Sequence, residues 1–120
     1  MRLRREIAEA ALKLDRSNSW VYYNLGLLFL EQRNWQQALD NLEASLIGNL
    51  KPSWIEVWAH IKRGNAYDAK GERNRAVAEY NKAVQSGIDY DNAQAVAKKY
   101  LATPYDPKAG QTAEATPPGN

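Results

Sequence analysis

Cysteine is absent from this chain of 120 residues, and histidine, phenylalanine and methionine each occur once. Without cysteine there is no disulfide framework, no thiolate zinc site and no thiol nucleophile. The compartment stays open, because reducing and oxidising locations both tolerate cysteine-free chains. His60 has no second histidine with which to share a metal. An excess of charge is also missing. A net charge of +2 is too small to argue for nucleic acid or an anionic membrane. The basic start at Arg2, Arg4 and Arg5 reads as a solvated helix end, and it runs into Glu6 and Glu9 rather than an apolar stretch, so no signal peptide is expected. Long apolar runs are lacking too. The densest, Trp20 to Leu30, contains Asn24 and falls well short of the ~20 residues needed to span a bilayer, so a soluble domain without membrane insertion is expected. No glycine-rich phosphate loop follows a strand. The carboxylates are scattered as i,i+4 partners of Lys and Arg, the pattern of a solvated face. No catalytic residue, metal ligand or cofactor is expected.

What is present is helical periodicity, from the start to about Thr103. Six helices are predicted, over about 3–15, 19–32, 35–47, 54–70, 73–86 and 90–102. Gly71 and Gly87 stand where helices should stop, since glycine readily adopts the left-handed conformation that ends them. Ser53 with Glu56 has the form of a capping box, and Asn34 with Gln37 a looser one. Asp89 or Asp91 is expected to cap the last helix. From Pro104 onward, prolines and glycines replace large apolar side chains, and the predicted outcome is a flexible tail over 104–120.

The chain repeats itself. Leu25-Gly26 is followed by Phe29, Ala38, Leu42 and Ser45, and 38 residues later Gly64 is followed by Tyr67, Ala76, Tyr80 and Ala83. The glycine-to-alanine spacing is 12 in both copies, and the next two steps match as well. A mid-helix glycine costs ~1 kcal/mol relative to alanine, a cost that makes sense where a neighbouring helix approaches closely. Ala38 and Ala76 suit that contact as small residues on the partner helix. One helix pair cannot bury its apolar stripe alone, so pairs are expected to stack.

At these residues the sequence resembles the tetratricopeptide repeat family. The motif of an aromatic, Leu-Gly and an aromatic on one helix, then Ala, a large apolar residue and Ala on the next, corresponds to Tyr22, Leu25, Gly26, Phe29, Ala38, Leu42 and Ser45. The second copy reads His60, Arg63, Gly64, Tyr67, Ala76, Tyr80 and Ala83, so His60 replaces an aromatic and Arg63 a leucine. His60 is accordingly expected as a buried or half-buried core residue rather than a ligand or base. The resemblance covers residues 1 to about 88 and implies an all-α solenoid of antiparallel helix pairs. Its organisation would be a half repeat over 1–18, repeats over 19–52 and 53–88, a capping helix over 89–103 and the tail.

In such a stack the first helices of successive repeats line a concave groove. Trp20, Tyr23, Leu27 and Leu30 form a second apolar stripe on the helix 19–32, and Trp54, Trp58, Ile61 and Asn65 continue it on the next first helix. Contiguous exposed apolar surface marks interaction sites, and Trp and Tyr are frequent hot spots. The expected function is therefore a non-catalytic protein–protein interaction module that holds a peptide or partner helix in this groove. Coverage of the same surface by the chain's own terminal helix, or by a neighbouring copy, is the competing reading. A carboxylate clamp built on Asn24, Lys62 and Asn65 would need more converging basic residues, and Leu27 stands where a polar group is required.

Residues 3–15 read as the second helix of a repeat whose first helix is not in this sequence, either because the chain is part of a longer array or because something else covers that end. Leu3, Ile7 and Leu12 on its apolar face are candidates for self-association, with end-to-end stacking into a homo-oligomer as the alternative function.

Overall fold

The computed structural model describes residues 2–108; the remainder of the expected tail, 109–120, lies outside the described residues. Six α-helices are formed among them: α1 (Arg2–Leu14), α2 (Ser19–Glu31), α3 (Trp35–Ile47), α4 (Ile55–Ala69), α5 (Arg73–Ser86) and α6 (Ala93–Ala102). A 3-10 turn at Tyr90–Asn92 occupies the start of the predicted last helix, where Asp91 and Asn92 adopt left-handed backbone. Helices α2/α3 and α4/α5 are two antiparallel pairs in a stack of about 40 × 28 × 23 Å; α1 lies against α2, and α6 closes the other end against α5 and α4.

The helix ends differ in part from the expected caps. Gly71 and Gly87 do carry positive φ, at +80° and +70°. Asp89 accepts the Gln94 N–H at 3.0 Å in the first turn of α6. The Ser53–Glu56 capping box does not form. Instead, Ile55 N–H donates to the Pro52 carbonyl and Glu56 N–H to the Ser53 carbonyl, so backbone groups make the turn and α4 starts two residues after Ser53. Asn34 bonds to the Gln37 side chain rather than to the backbone. The side-chain cap of α2 is Asn18, whose Oδ1 accepts the Val21 N–H at 3.1 Å. The long α3–α4 connection is tied back to that same corner: Leu50 N–H donates to Ser19 Oγ at 2.8 Å and Asn49 N–H to the Ser17 carbonyl at 2.8 Å.

Each repeat glycine lies beneath a large side chain of its partner helix. A Cβ at Gly26 would come within 2.6 Å of Leu42 Cγ, and one at Gly64 would fall on the Tyr80 ring. The close contact is thus made by Leu42 and Tyr80, with Ala38 and Ala76 buried nearby in the core, rather than by the alanines themselves.

The two departures from the repeat motif meet a third residue. His60 Nδ1–H donates to Glu79 Oε1 at 2.9 Å, and Arg63 Nε lies 3.3 Å from the same oxygen. Arg63 also donates to the Leu39 carbonyl at 2.8 Å, so a buried polar junction joins α3, α4 and α5. Burial pushes the Glu79 carboxyl up, but the His60 hydrogen bond and the charges of Arg63, His60 and Lys82 outweigh it and hold the group below its ordinary range.

A second buried carboxylate locks the far end. Asp68 accepts from the Tyr80 hydroxyl at 2.9 Å, from Arg73 at 3.0 Å and from the Tyr105 N–H at 2.9 Å. Burial and the Asp68 charge push the Tyr80 hydroxyl far above its usual range, so it remains a donor. Arg73 in turn donates to the Tyr100 and Leu101 carbonyls at 2.8 and 2.9 Å, satisfying the end of α6. The segment expected to leave the domain at Pro104 therefore stays on it through Tyr105, whose ring meets that of Tyr100 edge-on at 5.5 Å.

Two outcomes follow. Gly64→Ala should overpack the α4–α5 contact and lower stability by about 2 kcal/mol, visible as a fall of roughly 10 °C in the thermal midpoint followed by circular dichroism. Because Glu79 titrates lower when folded than when unfolded, its stabilisation is complete above about pH 4.5 and is lost as the pH falls through the lower, folded value. Glu79→Gln should then be less stable than wild type near neutral pH, with the gap in urea midpoints narrowing as the pH falls below about 4.5.

Candidate functional site

Helix α2, SWVYYNLGLLFLE, is apolar on nearly every side, so it must be covered on nearly every side. One flank, Tyr23 and Leu27, enters the main core with α4. The other, Val21, Leu25 and Leu28, forms a smaller cluster with Ala8, Ala11 and Leu12 of α1.

The structure buries most of the expected groove. Tyr23, Leu27, Trp58 and Ile61 belong to the same core cluster as Ala93, Ala97 and Tyr100 of α6. Trp58 is 2% exposed, and its indole Nε1 donates to the Tyr90 carbonyl at 2.9 Å. Asn65 is buried, with its side-chain amide 3.0 Å from the Tyr80 hydroxyl. Trp54 and Leu30 are half-buried. Tyr23, Trp54 and Tyr90 form an aromatic row, edge-on at 5.5 Å and then stacked at 5.2 Å, running from α2 to the 3-10 turn before α6. These residues are therefore brought together, but as interior. The alanines of α6 let that helix approach closely enough to take the place the groove reading left open. The clamp candidates are engaged as well: the Lys62 ammonium lies over the Trp58 ring at 5.5 Å, and the Asn24 amide donates to the Trp20 carbonyl at 2.8 Å.

Of the eight expected groove residues, Trp20 alone is exposed, at 43%. It stands not in the row but at the rim of a different hollow, an open cavity of about 300 Å³ between α1 and α2. Ile7, Ala8 and Ala11 form one wall and Val21, Leu25 and Leu28 the other, with Arg4 and Asn24 adding polar groups. Arg4 reaches Glu31 at 3.5 Å, and the Arg5 guanidinium covers the Phe29 ring at 5.3 Å, which pins α1 to α2.

Of the residues expected in self-association, Leu3 and Ile7 are 67% and 62% exposed, while Leu12 is half-buried against the α2 cluster. Leu14 is 91% exposed and was not singled out from the sequence. Its signal was legible: Leu3, Ile7, Ala10 and Leu14 follow one another at steps of four, three and four. Among the described residues no group of three or more His, Cys, Asp or Glu side chains could hold a metal ion, and no helix is long and apolar enough to cross a membrane.

The burial pattern separates two tryptophans. Trp58→Ala should cost about 3–5 kcal/mol by opening a core cavity, whereas Trp20→Ala should change the urea midpoint by no more than about 0.5 kcal/mol equivalent.

Comparison with known families matches residues 7–40 to the Tetratricopeptide repeat, a stretch that runs from the middle of α1 through α2 to the middle of α3. The chain carries a repeat motif of that type there, within an all-α helix-pair fold of the kind typical of protein–protein interaction scaffolds. No curated protein and no solved structure matches the chain.

Proposed function

We propose that this chain is a non-catalytic protein–protein interaction module and that its binding surface is the slot between α1 and α2, which takes an amphipathic helix. The observation that carries this reading is the slot itself: an apolar hollow of about 300 Å³ with Trp20 at its rim and Ile7 on its wall, both exposed. Exposed apolar surface of this kind marks interaction sites. The repeat architecture supports a helical occupant. One repeat further on, α2 itself lies against α3 and α4, as an occupant of the slot would lie against α1 and α2. Such a partner would present aliphatic or small residues at i, i+3/i+4 and i+7. The matched repeat contributes residues to both walls of the slot. Of the expected groove, Trp20 remains a contact residue in this reading. Tyr23, Leu27, Trp58, Ile61 and Asn65 serve instead as the scaffold that holds α2 in place, and Leu30 and Trp54 flank it.

The test is selection of displayed 15-residue amphipathic helices against the whole chain. Selected binders should lose at least about 10-fold in affinity on Ile7→Glu and Trp20→Ala, with the helical content of both variants unchanged. Binders that keep full affinity for both variants would place the site elsewhere.

A further inference from the structure

Building on that reading of the slot, we infer that its occupant is a second copy of this chain, docked with the two α1 helices antiparallel about a two-fold axis. The exposed side of α1 carries Leu3, Ile7, Ala10 and Leu14 at steps of four, three and four, which is the spacing of a helix–helix seam rather than of scattered surface residues. Leu14, at 91% exposure, has no role in the chain's own core. When two such helices run antiparallel with Ile7 opposite Ala10, Leu3 falls opposite Leu14 at both ends. Each large residue then faces either a small one or a residue that ends the seam. Ala10 at the centre allows close approach, and Ile7, which belongs to both the seam and the slot wall, sets the incoming helix along the open side of the slot.

Charge selects the orientation. Glu6 and Lys13 flank the seam on the side away from α2, seven residues apart and so on one face. The antiparallel arrangement sets Glu6 of each copy near Lys13 of the other, twice by symmetry. A parallel pair would instead set Glu6 beside Glu6 and Lys13 beside Lys13 and align the helix dipoles.

The other end of the molecule supports a closed pair over a growing stack. The outward residues of α6 are Ala95, Lys98, Lys99 and Ala102, a small and cationic surface with no apolar stripe to enter the slot of a neighbour. An isologous contact uses the same patch on both copies and therefore stops at two. Two helices of 13 residues, each about 20 Å long, make an interface at the small end of the stable range, so the dimer should be reversible at concentrations on the order of 10–100 µM.

Sedimentation equilibrium of the whole chain across that range tests the inference. The mass should rise from 13.6 kDa to twice that value and stop. Glu6→Lys and Lys13→Glu should each weaken association at least about 10-fold, because each gives one helix the same sign at both positions, and an equimolar mixture of the two variants should recover it as a heterodimer. Circular dichroism checks that both keep their helices. A dimer indifferent to both substitutions, or a mass that keeps growing with concentration, overturns the antiparallel α1 pair, the latter in favour of end-to-end stacking. A strict monomer also overturns it. A synthetic peptide of residues 18–32 then separates the two readings: if calorimetric titration shows it binding wild type and not Ile7→Glu, the slot takes a helix but not a second copy. If it binds neither, the slot assignment falls as well.

Discussion

Leu42 rests on the backbone of Gly26, and Tyr80 rests on the backbone of Gly64. These two contacts set the distance between the helices of each pair, and the remaining packing is built around that spacing. A side chain at either glycine would push the pair apart and open the core on both sides. With the pair closed, the remaining apolar stripes of α2 and α4 have to be covered by neighbours rather than by their own partners. The stack exists because each pair leaves surface that only another pair, or a further helix, can hide.

That requirement is met at one end and left open at the other. At the far end α6 lays Ala93, Ala97 and Tyr100 into the core with Trp58, and the Asp68–Arg73 bridge fastens the last carbonyls of the helix. Its outward residues, Ala95, Lys98, Lys99 and Ala102, form no apolar stripe. At the near end α1 covers the Val21, Leu25 and Leu28 flank of α2 with alanines and a leucine, too small a set to fill the space, and turns Leu3, Ile7 and Leu14 outward. The described surface is thus asymmetric: Leu3, Ile7, Leu14 and Trp20 are exposed at the α1–α2 end, with Ile47 and Tyr90 the other exposed large apolar residues.

The polar departures from the repeat pattern form a junction instead of weakening it. His60 and Arg63 stand where an aromatic and a leucine are usual, and Glu79 on α5 pairs with both. Arg63 reaches on to the Leu39 carbonyl of the preceding pair. A buried charge left single would be costly, whereas this set satisfies its members and ties the two repeats in one relative position.

Helix number, the approximate helix spans, the pairing of helices and the role of the mid-helix glycines were all legible in the sequence, because periodicity and the repeated Gly–Ala spacing are local patterns that survive without coordinates. So was the apolar excess of α2. The side from which that excess would be covered was not. Trp58 and Trp20 both lie in the first turn of the first helix of a pair, yet one is sealed beneath α6 and the other is open. The difference comes from where α6, α1 and the Tyr90 turn settle in space, which depends on contacts between residues more than 30 positions apart, such as Trp58 with Tyr90 and Asp68 with Tyr105. Sequence determines which surfaces must avoid water; tertiary packing decides which of them the chain can hide by itself.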